Sequence, residues 1–128
     1  MAGMEKFTTG AQRDQLGDKV RFELLPVYPL KVVAKRMTSG AIHYGEDNWR
    51  KGMPFRRTFG SLLRHAFAWY HQAEGDYEDD EDHLAGVIFN AMCLIQYQKD
   101  MKDGNLSEDL DDRPRPSDEV LDSSCSPY

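Results

Sequence analysis

Arg64 and His65 stand together in a stretch otherwise rich in Leu, Phe and Trp, and His83 and Asn90 interrupt a second apolar stretch. Burying such groups costs about 1–3 kcal/mol each unless they are satisfied. Two readings are open on spacing alone. Either Arg64 pairs with an acid such as Asp82 and the histidines bond backbone groups, giving a structural network, or the groups converge on a pocket for an anionic ligand. The charge around them is polarised. Residues 48–73 hold no acid but include Arg50, Lys51, Arg56, Arg57 and Arg64, whereas seven of the nine residues from Glu74 to Asp82 are acids. Cations hold phosphate oxygens and carboxylates hold Mg²⁺, so a basic block beside an acidic one suits a phosphate-and-metal ligand. Two solvated patches that compensate each other would read the same way.

Several chemistries are absent from the pattern. There is no glycine-rich phosphate loop, no Gly-x-Ser-x-Gly and no cysteine in a catalytic context. The four histidines, His43, His65, His71 and His83, are not spaced as His-Glu-x-x-His, and Asp82–His83 is the reverse of a His-Asp pair. Cys93 and Cys125 are too few for a disulfide framework or a thiolate zinc site, which suits a reducing cytoplasm. Trp49 and Trp69 can stack a base or fill a core.

The elements that would position these residues are helical. Pro26 and Pro29 suit the first turn of a helix running to about Thr38, with Gly40 as its stop. Thr58 caps a second helix to about Ala73, whose Leu62, Ala66, Trp69 and Leu63, Phe67, Tyr70 sets form an apolar stripe opposite Ser61, Arg64, His65 and Ala68. Asp82 is the N-cap of a third, His83 to about Lys99, burying Leu84, Val87, Ile88, Ala91, Leu94 and Ile95 and lining up His83, Gly86, Asn90 and Cys93 along one edge. A short strand at Val20–Leu25 is the one sign of β structure. The expected fold is an all-α small helical bundle, completed by dimerisation because three stripes rarely close a core.

Length and charge set the limits. At 128 residues the chain allows one compact domain. No apolar run is long enough for a membrane helix or a secretory leader, so no membrane partner is expected. The net charge of −6 lies wholly in residues 100–128, which hold nine acids and three bases. That segment is poor in large apolar residues, so the chain divides into a helical domain, 1–99, and a disordered acidic tail, 100–128. The charge argues against direct nucleic-acid binding.

Five pieces in order carry a resemblance: Arg13–Asp14; Arg21-Phe22-x-Leu24-Leu25-Pro26; the Tyr44-Gly45-x-x-Asn48-Trp49-x-Lys51-Gly52 loop; Arg64–His65; and Glu81-Asp82-His83-Leu84-Ala85 with Asn90. From about Gly10 to Gln98 the chain resembles a phage and prophage family labelled dATP/dGTP diphosphohydrolase, which is similar to the all-α nucleoside triphosphate pyrophosphatases. The resemblance implies a purine nucleotide ligand, Mg²⁺ and the cytoplasm of an infected bacterium. On that reading Asp82, Glu81 and His83 are the catalytic candidates, with Asp82, Glu81 and Glu46 on the metal. Asn48, Trp49, Arg50, Lys51, Arg64, His65 and Asn90 bind the nucleotide. The better-known pyrophosphatases hold Mg²⁺ on Glu-x-x-Glu and Glu-x-x-Asp helices, whereas residues 61–70 and 83–98 here carry no acid. That difference favours binding without cleavage, whereas the resemblance implies Mg²⁺-dependent cleavage of purine (deoxy)nucleoside triphosphates, which is the expected activity. The alternatives are a sponge that sequesters a nucleotide, such as a host immune signal, without cleaving it, and a structural interaction protein.

Overall fold

The computed structural model describes residues 3–72 and 82–116. Three helices carry the fold: α1 (Val27–Tyr44), α2 (Phe55–Tyr70) and α3 (His83–Lys102). A small antiparallel hairpin precedes them, β1 (Met4–Lys6) with β2 (Gln12–Asp14), in the register Met4↔Asp14 and Lys6↔Gln12. All its residues are exposed. The strand expected at Val20–Leu25 is instead a single 3-10 turn at Phe22–Leu24, since no neighbouring strand is there to pair with it.

Helix α1 starts after Pro26, as Pro26 and Pro29 suggest, but does not stop at Gly40. It runs to Tyr44 and ends at Gly45, whose φ of 94° only glycine adopts without strain. Gly40 keeps helical backbone inside it. Helix α2 begins at Phe55, behind Pro54, rather than at Thr58. Thr58 lies a turn inside, buried, its hydroxyl donating to the Pro54 carbonyl at 3.0 Å. Helix α3 begins where expected, with Asp82 Oδ1 accepting the Ala85 amide at 3.0 Å.

The faces of α2 and α3 are the main departure from the pattern. His65, Ala68 and Thr58 are the buried side of α2, while Phe67, Trp69 and Tyr70 are exposed. On α3 the line expected along one edge, His83, Gly86, Asn90 and Cys93, is buried together with Ala85 and Tyr97, whereas Leu84, Ile88 and Ile95 are exposed. Small and polar residues let the two helices approach closely, and the bulky apolar ones are left outside. The core gathers Phe55, Cys93 and Tyr97, flanked by Trp49, Met53, Phe89, Leu94, Met101 and Leu106.

The folded body passes the border expected at residue 99. Helix α3 continues to Lys102, Gly104 turns the chain at φ 77°, and Leu106 packs on the core. A 3-10 turn, Glu108–Leu110, follows, its first amides capped by Ser107. Leucines 106 and 110 are apolar enough to anchor a segment whose charge alone suggests a solvated tail. Residues 117–128, the rest of that tail, lie outside the described residues. Among the described residues no helix is long and apolar enough to cross a membrane.

Candidate functional site

A cleft of about 790 Å³ opens between the C-terminal half of α1, the Gly45–Met53 loop, the first turns of α2 and the middle of α3. Each element contributes through a local feature. In α1 the run Ser39-Gly40-Ala41 lines it with small side chains, beside Arg36 and Met37. The loop carries a 3-10 turn, Asn48–Lys51, held down by Tyr97, whose hydroxyl donates to the Trp49 carbonyl at 2.6 Å. That bond and the edge-on contact of Trp49 with Phe89 (6.4 Å between ring centres) fix the indole in the cleft wall. Helix α2 adds Arg57, Thr58 and Ser61, and α3 adds Phe89 and Asn90.

The polar atoms here are unevenly satisfied. Asn90 is 4% exposed, and its Nδ2 donates to the Gly86 carbonyl at 2.7 Å and faces Ser61 Oγ at 3.5 Å. Among the described residues its Oδ1 meets no donor, which leaves a buried acceptor on the cleft wall. Arg36 and Arg57 line the same cleft, and among the described residues neither has a carboxylate within 4.0 Å. Glu46 and Asp47 supply the cleft's acids. Asp47 sits in the left-handed region, φ 59°, and its Oδ1 accepts from Arg50 Nε at 2.9 Å.

The chain matches the family model for dATP/dGTP diphosphohydrolase, N-terminal, over residues 9–107. It belongs to that family. No curated protein and no solved structure matches it. The family match spans every element that lines the cleft, so the cleft is a feature of the family domain rather than of an appended segment.

Of the nucleotide-binding candidates in this family member, Asn48, Trp49 and Asn90 line the cleft, as does Glu46 from the metal candidates. Arg50 and Lys51 sit on the same turn but do not line it; Arg50 stacks on Trp49, its guanidinium carbon 4.7 Å from the ring centre. Arg64, His65 and His83 gather in a network that does not line the cleft. His65 Nδ1 lies 3.1 Å from His83 Nδ1, and its Nε2 meets Arg64 Nη2 at 3.3 Å and Arg36 Nη2 at 3.1 Å. Asp82 is at the head of α3, occupied with its cap, and Glu81 lies outside the described residues. The candidates missing from the sequence reading are Arg36, Arg57 and Ser61. Arg57 was visible as a member of the basic block, and Arg36 had a signal in the small residues that follow it one turn later.

The described residues hold no preformed metal cluster. No three of their His, Cys, Asp and Glu side chains converge. Asp47 is engaged by Arg50 and Asp82 by its own helix, so among the described residues Glu46 has no uncommitted carboxylate beside it in the cleft. What the cleft offers instead, among the described residues, is two arginines with no carboxylate partner, an indole and an unfilled acceptor. Such a set can accommodate a flat heterocycle bearing an anion.

Proposed function

We propose that this protein binds a purine nucleoside triphosphate in the cleft, with the phosphates against Arg36 and Arg57 and the base beside Trp49. The observation that carries the reading is the convergence of two arginines, which among the described residues lack carboxylate partners, on a cleft that also holds Trp49 and an Asn90 acceptor that no described residue fills. A guanidinium with no carboxylate beside it keeps donors for a phosphate oxygen, and Asn90 Oδ1 can accept from a base amine or a sugar hydroxyl. Membership of the family supports a dATP or dGTP substrate cleaved to monophosphate and pyrophosphate with Mg²⁺, with Glu46, Glu81 and Asp82 as the acids nearest that role in the sequence.

Sequestration without cleavage is the second reading, and a specific observation favours it. Helices α1 and α2 contain no acid, and α3 contains only Asp100, near its C-terminal end. Incubating the protein with each dNTP and Mg²⁺, and measuring nucleotide before and after heat denaturation, separates the two. Monophosphate and pyrophosphate mean an enzyme; intact nucleotide released on heating means a sponge; neither overturns the nucleotide reading and leaves an interaction protein. In either binding case Arg36→Ala and Arg57→Ala should each weaken the triphosphate roughly ten- to a hundredfold, the equivalent of about 1.5–3 kcal/mol.

The same proposal includes self-association. Phe59, Phe67, Trp69, Leu84, Ile88 and Ile95 are exposed on α2 and α3, and a second copy is the occupant that would cover them in a homodimer. Light scattering of the eluting protein checks this, a monomer at micromolar concentration being the contrary result.

A further inference from the structure

Arg36 reaches the cleft from α1 on a long side chain, and such a side chain loses rotamer freedom whenever it grips a phosphate. In this protein the guanidinium is already held. Its Nη2 lies 3.1 Å from His65 Nε2, and its central carbon sits 6.0 Å from the centre of the Phe89 ring.

The histidine on the other side of that contact has little freedom of its own. His65 is fully buried. Gly86 makes the room for it: a Cβ at that position would lie 2.6 Å from the imidazole Cγ and Cδ2. Its Nδ1 is 3.1 Å from Nδ1 of His83, itself buried at the first turn of α3. A guanidinium can only donate, so Nε2, which faces both Arg36 and Arg64, must be the acceptor. The ring proton is then on Nδ1 and points to His83. The neutral ring in this one tautomer is the form that accepts from both arginines.

We propose that His65 is a positioning residue: its buried ring, seated over Gly86 and held by His83, fixes the Arg36 guanidinium in the cleft for the phosphates of the bound nucleotide. This rests on the reading of the cleft as a nucleotide site. It assigns Arg64–His65 a role different from direct contact, since His65 acts through Arg36 and three helices share the arrangement.

The test compares dATP with deoxyadenosine, because only the former carries what Arg36 would hold. Titration calorimetry on the full chain should show His65→Phe weakening dATP tenfold or more while deoxyadenosine changes less than twofold. His65→Gln, whose amide oxygen can accept from Arg36, should recover most of the loss. On an Arg36→Met background, His65→Phe should add less than a further twofold. Equal losses for dATP and deoxyadenosine, or full additivity with Arg36→Met, would show that His65 only packs and would overturn the proposal. A measurement on the unaltered protein makes the test independent of how well the variants fold: ¹H–¹⁵N spectra of the imidazoles should show His65 protonated on Nδ1 and bare on Nε2. A proton on Nε2 rules out the contact with Arg36. A wild-type protein that binds neither dATP nor dGTP overturns the nucleotide reading itself, an outcome distinct from binding that His65→Phe leaves unchanged.

Discussion

Asp112 caps a helix that begins 57 residues before it: its Oδ1 accepts the backbone amide of Arg56, in the first turn of α2, at 2.8 Å. The neighbouring residues hold it there. Asp111 grips Arg113 through two bonds of 2.7 Å, and the Arg113 guanidinium stacks 5.4 Å from the centre of Phe55. Leu106 and Leu110 close over Gly52, where an added Cβ would meet their methyls at 2.9 and 2.7 Å. Ending the chain after Lys102 should therefore cost about 2–5 kcal/mol, from one lost cap and two partly buried leucines. Ending it after Pro116 is the control. Denaturant melts of the two truncations check this, and an unchanged midpoint for the shorter one contradicts it.

Gly86→Ala sets two effects against each other. Alanine is the better helix former by about 1 kcal/mol, but its Cβ would stand 2.6 Å from the His65 ring. Overpacking a rigid aromatic ring typically costs about 1–3 kcal/mol, and His65 is fully buried. The expected result is a lower melting temperature together with weaker dATP binding. A stabilised variant would mean that the ring moves aside without penalty.

Asp82 can be dissected by two substitutions. Asparagine also caps helices well, so Asp82→Asn should leave stability within about 0.5 kcal/mol, whereas Asp82→Ala should lose about 0.5–2 kcal/mol with the bond to the Ala85 amide. If the protein cleaves nucleotide with Mg²⁺ through Asp82, the asparagine variant loses that activity at an unchanged melting temperature. Activity retained in Asp82→Asn assigns the residue to capping alone.

Alkaline pH should unfold the core at one identifiable point. Burial pushes the Cys93 thiol up from 9.0 to about 11, against a weaker opposing hydrogen bond with Tyr97. Burial also raises Tyr97 above its usual 10.0, with Cys93 beside it adding to the effect. The folded state keeps both protons longer than the unfolded chain does. The stability they contribute is thus fully present below about pH 9 and is lost as pH rises towards about 11, by up to about 1.4 kcal/mol per pH unit for each group. Urea midpoints from pH 7 to 11 should fall in that window, and Cys93→Ala should make the fall shallower. A profile flat through pH 10.5 would show both groups titrating as they do in water.

Much of the architecture was legible because it is local. Helix starts depend on residues within one turn, so Asp82 before His83 and the prolines before α1 marked their boundaries without any tertiary context. The family was legible as well, because ordered short motifs survive as strings. What could not be read was direction. Both α2 and α3 carry apolar residues around most of their circumference, so periodicity alone does not say which side meets a neighbour. Close approach decided it: Ala68, Ala85 and Gly86 let the backbones come together, His65 filled the gap left by the missing Cβ, and Phe67, Trp69, Leu84 and Ile88 were turned outward. The same packing set the polar residues in two places. Asn90 lines the cleft, while His65 and His83 do not, and Arg36 touches both the cleft and His65. That arginine lies 29 residues from His65 in the chain, a separation that no helical spacing encodes and that only the packing of both α1 and α2 against α3 closes.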